Sequence, residues 1–369
     1  MAQINYLTRI EFGEGEINRL PEFLSDLGIK RPLIATDAGL AATGLVAQVA
    51  ELVGTAAIYD RTPANPTEAA AMDAFAIYNE EGCDGIIGLG GGSPIDLAKA
   101  VRILTGHPAP LGQYAFVNGG AGKIGPDIAP MIAVPTTAGT GSEVGRAAVI
   151  ITEDGRKLGL LSPYLLPSIA LCDPELTYGL PAGLTAATGM DALTHCLETY
   201  MSQAFNPPAD GIALHGLGCA LRSLETATQD GQNRTARRDM MAAALEGAMA
   251  FQKGLGAVHA LTHPLGAIRE LNLHHGTLNA VLLAEVLRFN RPVIGDKWDV
   301  MAALMGDAPD SYVTALNARI GMPSGLRAMG VTDAMIEDVS HAALKDHCHA
   351  TNPRTATRED YLEILRNSM

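Results

Sequence analysis

The chain has 369 residues, 47% of them hydrophobic and 18% charged, a composition that can fill about two domains without disulfides or a structural metal. Its formal net charge of −14 argues against nucleic acid or an anionic membrane surface as partner, and no segment is apolar for long enough to span a bilayer. The five cysteines (Cys83, Cys172, Cys196, Cys219, Cys348) form no CxxC and read as reduced thiols; the start, Met1-Ala-Gln-Ile-Asn5, lacks a secretory pattern, so the cytoplasm is expected.

The first half alternates strands and helices. Strands are expected at residues 32–36, 57–59, 85–89 and 131–134, with helical stretches at 45–52, 67–81 and 95–104. Such alternation predicts βαβ units and a doubly wound parallel sheet. Beyond about Leu180 the rhythm changes: 191–201, 208–226, 235–252 and 277–289 carry helical periodicity and strand signals stop. The expected plan is an α/β dinucleotide-binding domain over residues 1–180 and an all-α domain over 181–369, with the cleft between them as the natural ligand site.

Two loops in the first half read as anion cradles. After the strand at 85–89 comes Gly90-Gly91-Gly92-Ser93-Pro94-Ile95-Asp96, whose glycines let backbone amides approach a phosphate. Ser93 is expected to cap the following helix, with Pro94 at its first position and Asp96 completing a capping box. The second loop, Val134-Pro-Thr136-Thr137-Ala-Gly-Thr-Gly-Ser-Glu143, offers hydroxyls to a ribose or phosphate, so a dinucleotide fits better than a lone phosphate. Asp37, at the end of the first βα strand, suits the hydroxyls of an adenosine ribose and would repel a 2′-phosphate, which favours NAD over NADP.

The second half holds four of the ten histidines in one short stretch, His259, His263, His274 and His275. His259 and His263 are four apart, as are Asp191 and His195, so each pair shares a helix face. Asp191 and His195 with two of the later histidines supply one oxygen and three nitrogens, a donor set for Fe(II) or Zn(II) rather than Mg(II). Such an ion would polarise a carbonyl, and with a dinucleotide nearby the expected chemistry is hydride transfer.

The stretches GGGSPIDLAKA (Gly90–Ala100), PTTAGTGSE (Pro135–Glu143), ATGMDALTHCLE (Ala187–Glu198), GLGAVHALTHPLGA and HHGTLNA together resemble the iron-containing (group III) alcohol dehydrogenases, with Asn65-Pro-Thr and Thr351-Asn-Pro-Arg354 extending the match over nearly the whole chain. The resemblance implies the dehydroquinate synthase-like pairing of an α/β dinucleotide domain with a helical metal domain. It implies Asp191, His195, His259 and His275 as metal ligands, with His263 beside the nicotinamide in proton transfer; His274 is not a family position and reads as a supporting or incidental residue. It implies NAD(H) contacts at Asp37, Asn65, Gly91, Gly92, Ser93, Thr136, Thr137 and Lys157, and a homodimer or larger homo-oligomer.

Three departures from the family pattern lie toward the substrate end: Gly145-Arg146 in the second loop, Gln252-Lys253 after Phe251, and a long spacer containing Arg269 between His263 and His275. Arg146 or Lys253 is therefore expected to meet an anionic substrate, such as a carboxylate-bearing semialdehyde of the 4-hydroxybutyrate type. The leading expectation is a metal-dependent NAD(H) alcohol dehydrogenase or aldehyde reductase. The alternatives are a metal-dependent cyclase of the dehydroquinate synthase type and a metal-independent maleylacetate-type reductase.

Overall fold

The computed structural model describes residues 8–268 and 270–369. They separate into two compact units: the first comprises residues up to Thr137 together with Gly141–Thr177, and the second comprises Ala138–Thr140 and Tyr178–Met369.

The first unit is built on a six-stranded parallel sheet. Its strands are β1 (Arg9–Phe12), β2 (Pro32–Ala35), β3 (Ala57–Tyr59), β4 (Gly85–Gly90), β5 (Met131–Pro135) and, after an antiparallel hairpin of β6 (Ala147–Ile151) and β7 (Lys157–Leu161), β8 (Ile169–Cys172). The order across the sheet is β1-β8-β5-β4-β2-β3. β2, β4 and β5 are buried on both faces, which is why they read as unbroken apolar runs. Alternate residues divide between two cores: Leu33, Ile86 and Met131 face one, and Ile34, Ile87 and Ile132 face the other. Helix Glu68–Glu80 begins where expected, its cap Thr67 accepting from Ala70 N.

β1, β8 and the β6–β7 hairpin were not anticipated. β1 is four residues with two charges, and the hairpin is only partly buried, so neither carries the apolar run that marks a central strand. The hairpin brings Lys157 into the unit.

The second unit is helical, with no strand among its described residues. Its principal helices are Ala182–Met201, Pro207–Gln229, Arg234–Ala250, Ala257–Gly266 and His275–Ile294. Asn206 and Asn233 cap two of them, accepting from Ala209 N and Ala236 N. One contiguous apolar core runs from Ala186 to Leu365. Ala182–Met201 starts nine residues before the 191 expected from sequence and is buried on nearly every side, so its first turns show little amphipathic contrast. No described helix is long and apolar enough to cross a membrane.

Candidate functional site

Three helices of the second unit bring Asp191, His195, His259 and His275 together. Asp191 and His195 lie one turn apart on Ala182–Met201, His259 is in the first turn of Ala257–Gly266, and His275 opens His275–Ile294. The Nε2 atoms of His195, His259 and His275 lie 3.5, 3.6 and 3.7 Å from Asp191 Oδ1. Gly276 makes the approach of the last helix possible: a Cβ there would fall 2.0 Å from Ala187 O and 3.3 Å from Asp191 Cβ. The side chains of Asp191, His195 and His259 are no more than 5% exposed, whereas His275 is 30% exposed, so the cluster opens on the His275 side.

The electrostatics call for a cation at the centre. Burial raises the pKa of Asp191, but His195, His275 and His259 outweigh it and hold the carboxylate well below its usual range. Burial pushes His195 down to about 4; it also lowers His259, but Asp191 and Glu198 outweigh it there and push that imidazole up to about 9. His259 Nδ1 donates to Glu198 Oε2 at 2.6 Å, and Glu198 Oε1 accepts from Val258 N at 2.7 Å. That bond fixes the tautomer and leaves His259 Nε2 facing Asp191, buried and without a hydrogen-bond partner. His195 has no such carboxylate; its Nδ1 is unpaired and the ring packs edge-on against Phe251 at 5.3 Å. Asn279 donates to Asp191 Oδ1 at 2.7 Å.

His263 stands beside this cluster rather than in it. Its ring stacks on His275 at 5.7 Å and on His347 at 5.6 Å, and Nδ1 donates to Asp346 Oδ2 at 2.8 Å. Burial raises Asp346, but His263 outweighs that and keeps it ionised. His263 is therefore held with Nε2 as its acceptor atom. His274 is exposed, at the N-cap of the last helix, 3.4 Å from Thr277 Oγ1, and is not part of the cluster.

In the first unit the cradle residues gather at the C-terminal ends of the strands. Gly90 has φ 146° and Gly91 caps helix Gly92–Leu104; a Cβ on Gly91 would meet Thr137 at 3.3 Å, so the missing side chain lets the two loops lie close at the helix N-terminus. Thr136 N donates to Gly90 O at 3.0 Å, tying the second loop to the first. Lys157 Nζ donates to Asn65 Oδ1 at 2.8 Å, pairing two residues 92 apart. Asp37 ends β2 and caps the short helix Ala38–Ala41, accepting from Leu40 N at 2.9 Å through Oδ1.

Three expectations are corrected here. Ser93 lies inside the helix, not at its cap: Gly91 takes that place, and Ser93 Oγ donates to Ala64 O at 2.5 Å. Asp96 closes no capping box but accepts from Ser142 Oγ at 2.6 Å and Val149 N at 3.0 Å. Lys253 is not free to meet a substrate. It is 5% exposed and bound to Asp210 and, at 3.3 Å, to Tyr200 O. Arg146 is exposed and enters no ion pair among the described residues; Arg269 lies outside them.

The comparisons decide the family. The model for iron-containing alcohol dehydrogenase matches residues 8–174, and that for the C-terminal region of the Fe-containing alcohol dehydrogenase family matches 185–369. The chain belongs to the iron-containing alcohol dehydrogenase family. It is 51% identical to 4-hydroxybutyrate dehydrogenase of Cupriavidus necator, with 100% of each chain covered. It is 35% identical to lactaldehyde reductase of Escherichia coli strain K12, covering 97% of each. Among solved structures, that of a 1,3-propanediol oxidoreductase matches with a TM-score of 0.95 and 36% identity over 100% of both chains.

As a member of this family the protein is an oxidoreductase acting on CH–OH, with NAD(H) and iron as cofactors. The residues fit both. One carboxylate and three imidazoles, with the buried Nε2 of His259 turned toward Asp191 by the bond to Glu198, suit a first-row divalent ion. The glycine turn at the N-terminus of Gly92–Leu104 suits a pyrophosphate.

Sequence reasoning missed Glu198, Asn279 and Asp346. Glu198 lies inside the motif that carries Asp191 and His195, but its partner is 61 residues away; Asp346 is 83 residues from His263.

Proposed function

We propose that the enzyme interconverts a short ω-hydroxy carboxylate of the 4-hydroxybutyrate type and its semialdehyde, using NAD(H). The observation that carries this is the end-to-end similarity to a 4-hydroxybutyrate dehydrogenase, on a chain with all four donors in place. In this reading residues 1–180 hold the dinucleotide through Asp37, Asn65, Gly91, Gly92, Ser93, Thr136, Thr137 and Lys157. Residues 181–369 hold iron through Asp191, His195, His259 and His275. Bound iron supplies a Lewis acid for the reacting oxygen and NAD(H) supplies or accepts the hydride.

The chain's own work is orientation and proton transfer. Glu198 holds the His259 ring, and Asp346 holds His263 so that Nε2 takes the alcohol proton and returns it during reduction. With Lys253 consumed by Asp210, Arg146 is the cation we assign to the substrate carboxylate. We further propose a homodimer or larger homo-oligomer working in the cytoplasm.

Anaerobic NADH consumption by the iron-loaded enzyme on two aldehydes of equal length, one ending in a carboxylate, tests the substrate. The expected result is a kcat/KM roughly tenfold or more higher for the carboxylate, with Arg146→Ala removing most of that preference, as loss of a charge-assisted bond of about 1.5–3 kcal/mol requires. Equal rates on the two aldehydes would discard the anionic substrate. A preference that survives Arg146→Ala would keep the substrate and discard Arg146.

A further inference from the structure

A second set of donor atoms sits on the helix pair Pro207–Gln229 and Arg234–Ala250, made of residues other than those assigned to iron. His215 and Cys219 are four apart and share a face of the first helix; Glu246 reaches them from the second. His215 Nδ1 lies 2.7 and 2.9 Å from the two Glu246 oxygens and 3.9 Å from Cys219 Sγ. One donor atom from each residue lies within 4.8 Å of the others. A tetrahedral ion with bonds of about 2.0–2.3 Å spaces its donors roughly 3.3–3.7 Å apart, so side-chain shifts of about 1 Å close the set.

The scaffold under it is tight. A Cβ on Gly216 would come within 3.0 Å of Cys196 Sγ and 3.1 Å of Glu246 Cβ, so the missing side chain lets the Glu246 helix lie close. Cys219 is 2% exposed and forms the floor, while the His215 side chain is 67% exposed and leaves the mouth open to solvent. Arg222 Nη2 lies 3.4 Å from the sulfur, but it also donates to Asp239 Oδ2 at 3.3 Å and is 59% exposed, so it can turn outward with its charge answered.

We propose that His215, Cys219 and Glu246 form a binding site for a thiophilic divalent ion of the zinc class, with water in the fourth position. Imidazole, thiolate and carboxylate together select Zn(II) over Mg(II) or Ca(II). Binding releases the thiol proton, and the imidazole keeps its one proton on Nε2 while Nδ1 takes the ion; the ion's two charges then balance one thiolate and one carboxylate, and no electron is transferred. The ion would pin the two helices together. The inference does not depend on the substrate proposed above.

The iron ligands include no sulfur, which makes the test selective. Iron-loaded holoenzyme titrated anaerobically with Co(II) should develop a thiolate-to-cobalt charge-transfer band in the near ultraviolet, saturating at one equivalent. Cobalt that displaces iron adds nothing to this band. Cys219→Ser should abolish it while keeping NADH-dependent activity within twofold. His215→Ala should weaken Co(II) binding by more than the ~10–100-fold that loss of a supporting contact costs. Cys348→Ser should leave the band intact. No thiolate band in the wild-type protein, or a band that persists in Cys219→Ser, would overturn the site.

Discussion

The two units differ in what the proposed sites offer: backbone in the first, side chains in the second. At the Gly90–Ser93 turn the proposed donors are amides, and side chains act at a distance to shape the loops. Lys99, fully buried, donates to Ser142 O, Ser142 Oγ, Gly145 O and Ala147 O, while Asp96 takes Ser142 Oγ and Val149 N. In the second unit three histidines each contribute a single atom aimed at Asp191. The difference implies two modes of failure. A loop shaped by many bonds should weaken its ligand by degrees, whereas a cage of single donors should fail abruptly.

The sharpest way to break the comparison is Asp191→Ala. Asp191 Oδ1 is the point on which three imidazoles converge, so its loss should empty the site of iron. With the Lewis acid gone, worth several kcal/mol to the transition state, kcat/KM should fall by roughly a thousandfold or more. NADH binding, read by nicotinamide fluorescence, should stay within about twofold. A variant that keeps both its iron and its activity would show that the four residues are not the cage.

Lys99→Met asks the same of the first unit, with a smaller effect expected on turnover. Removing the ammonium strands Asp96 and three carbonyls, and breaking a buried charge network of this kind costs about 3–5 kcal/mol of stability. The loop from Thr136 to Ser142 should loosen, raising the KM for NADH about tenfold while iron content and kcat change little. An unchanged KM for NADH in a folded variant would separate the knot from cofactor binding. Loss of iron would erase the contrast between the two units.

How much of this was legible in the sequence follows from the range of each interaction. The central strands were, because burial on both faces leaves an apolar run in four to six consecutive residues. So was the likeness of spacing between Asp191–His195 and His259–His263, which helical periodicity alone places on shared faces. What failed was every reading that assigned a long-range partner locally. Asp96 sits three residues after Ser93, as a capping box asks, yet it turns to Ser142, 46 residues on. Lys253 read as a spare cation because Asp210, 43 residues before it, is brought alongside only by helix packing. Glu198 shows the same limit from the other side: a carboxylate one turn past His195 looks like a third ligand or a solvated charge until His259 is folded against it.

That residue carries the most discriminating effect, one that added iron should reverse. Glu198 is 1% exposed and accepts two bonds, from His259 Nδ1 and Val258 N. Gly256 makes room for it, since a Cβ there would lie 2.9 Å from Glu198 Oε1. In Glu198→Gln the amide oxygen can still accept from His259, but the amide nitrogen must then face the Val258 N–H, donor against donor, at the first turn of the helix that carries His259. The shape is kept; the charge and one bond are lost. Iron affinity should therefore fall about ten- to a hundredfold, the range found when a group supporting a metal ligand is removed, while the fold and NADH binding persist. Restoring excess Fe(II) should recover most of the activity, which it cannot do in Asp191→Ala. If excess iron recovers nothing, Glu198 acts on the reaction itself and not through the orientation of His259.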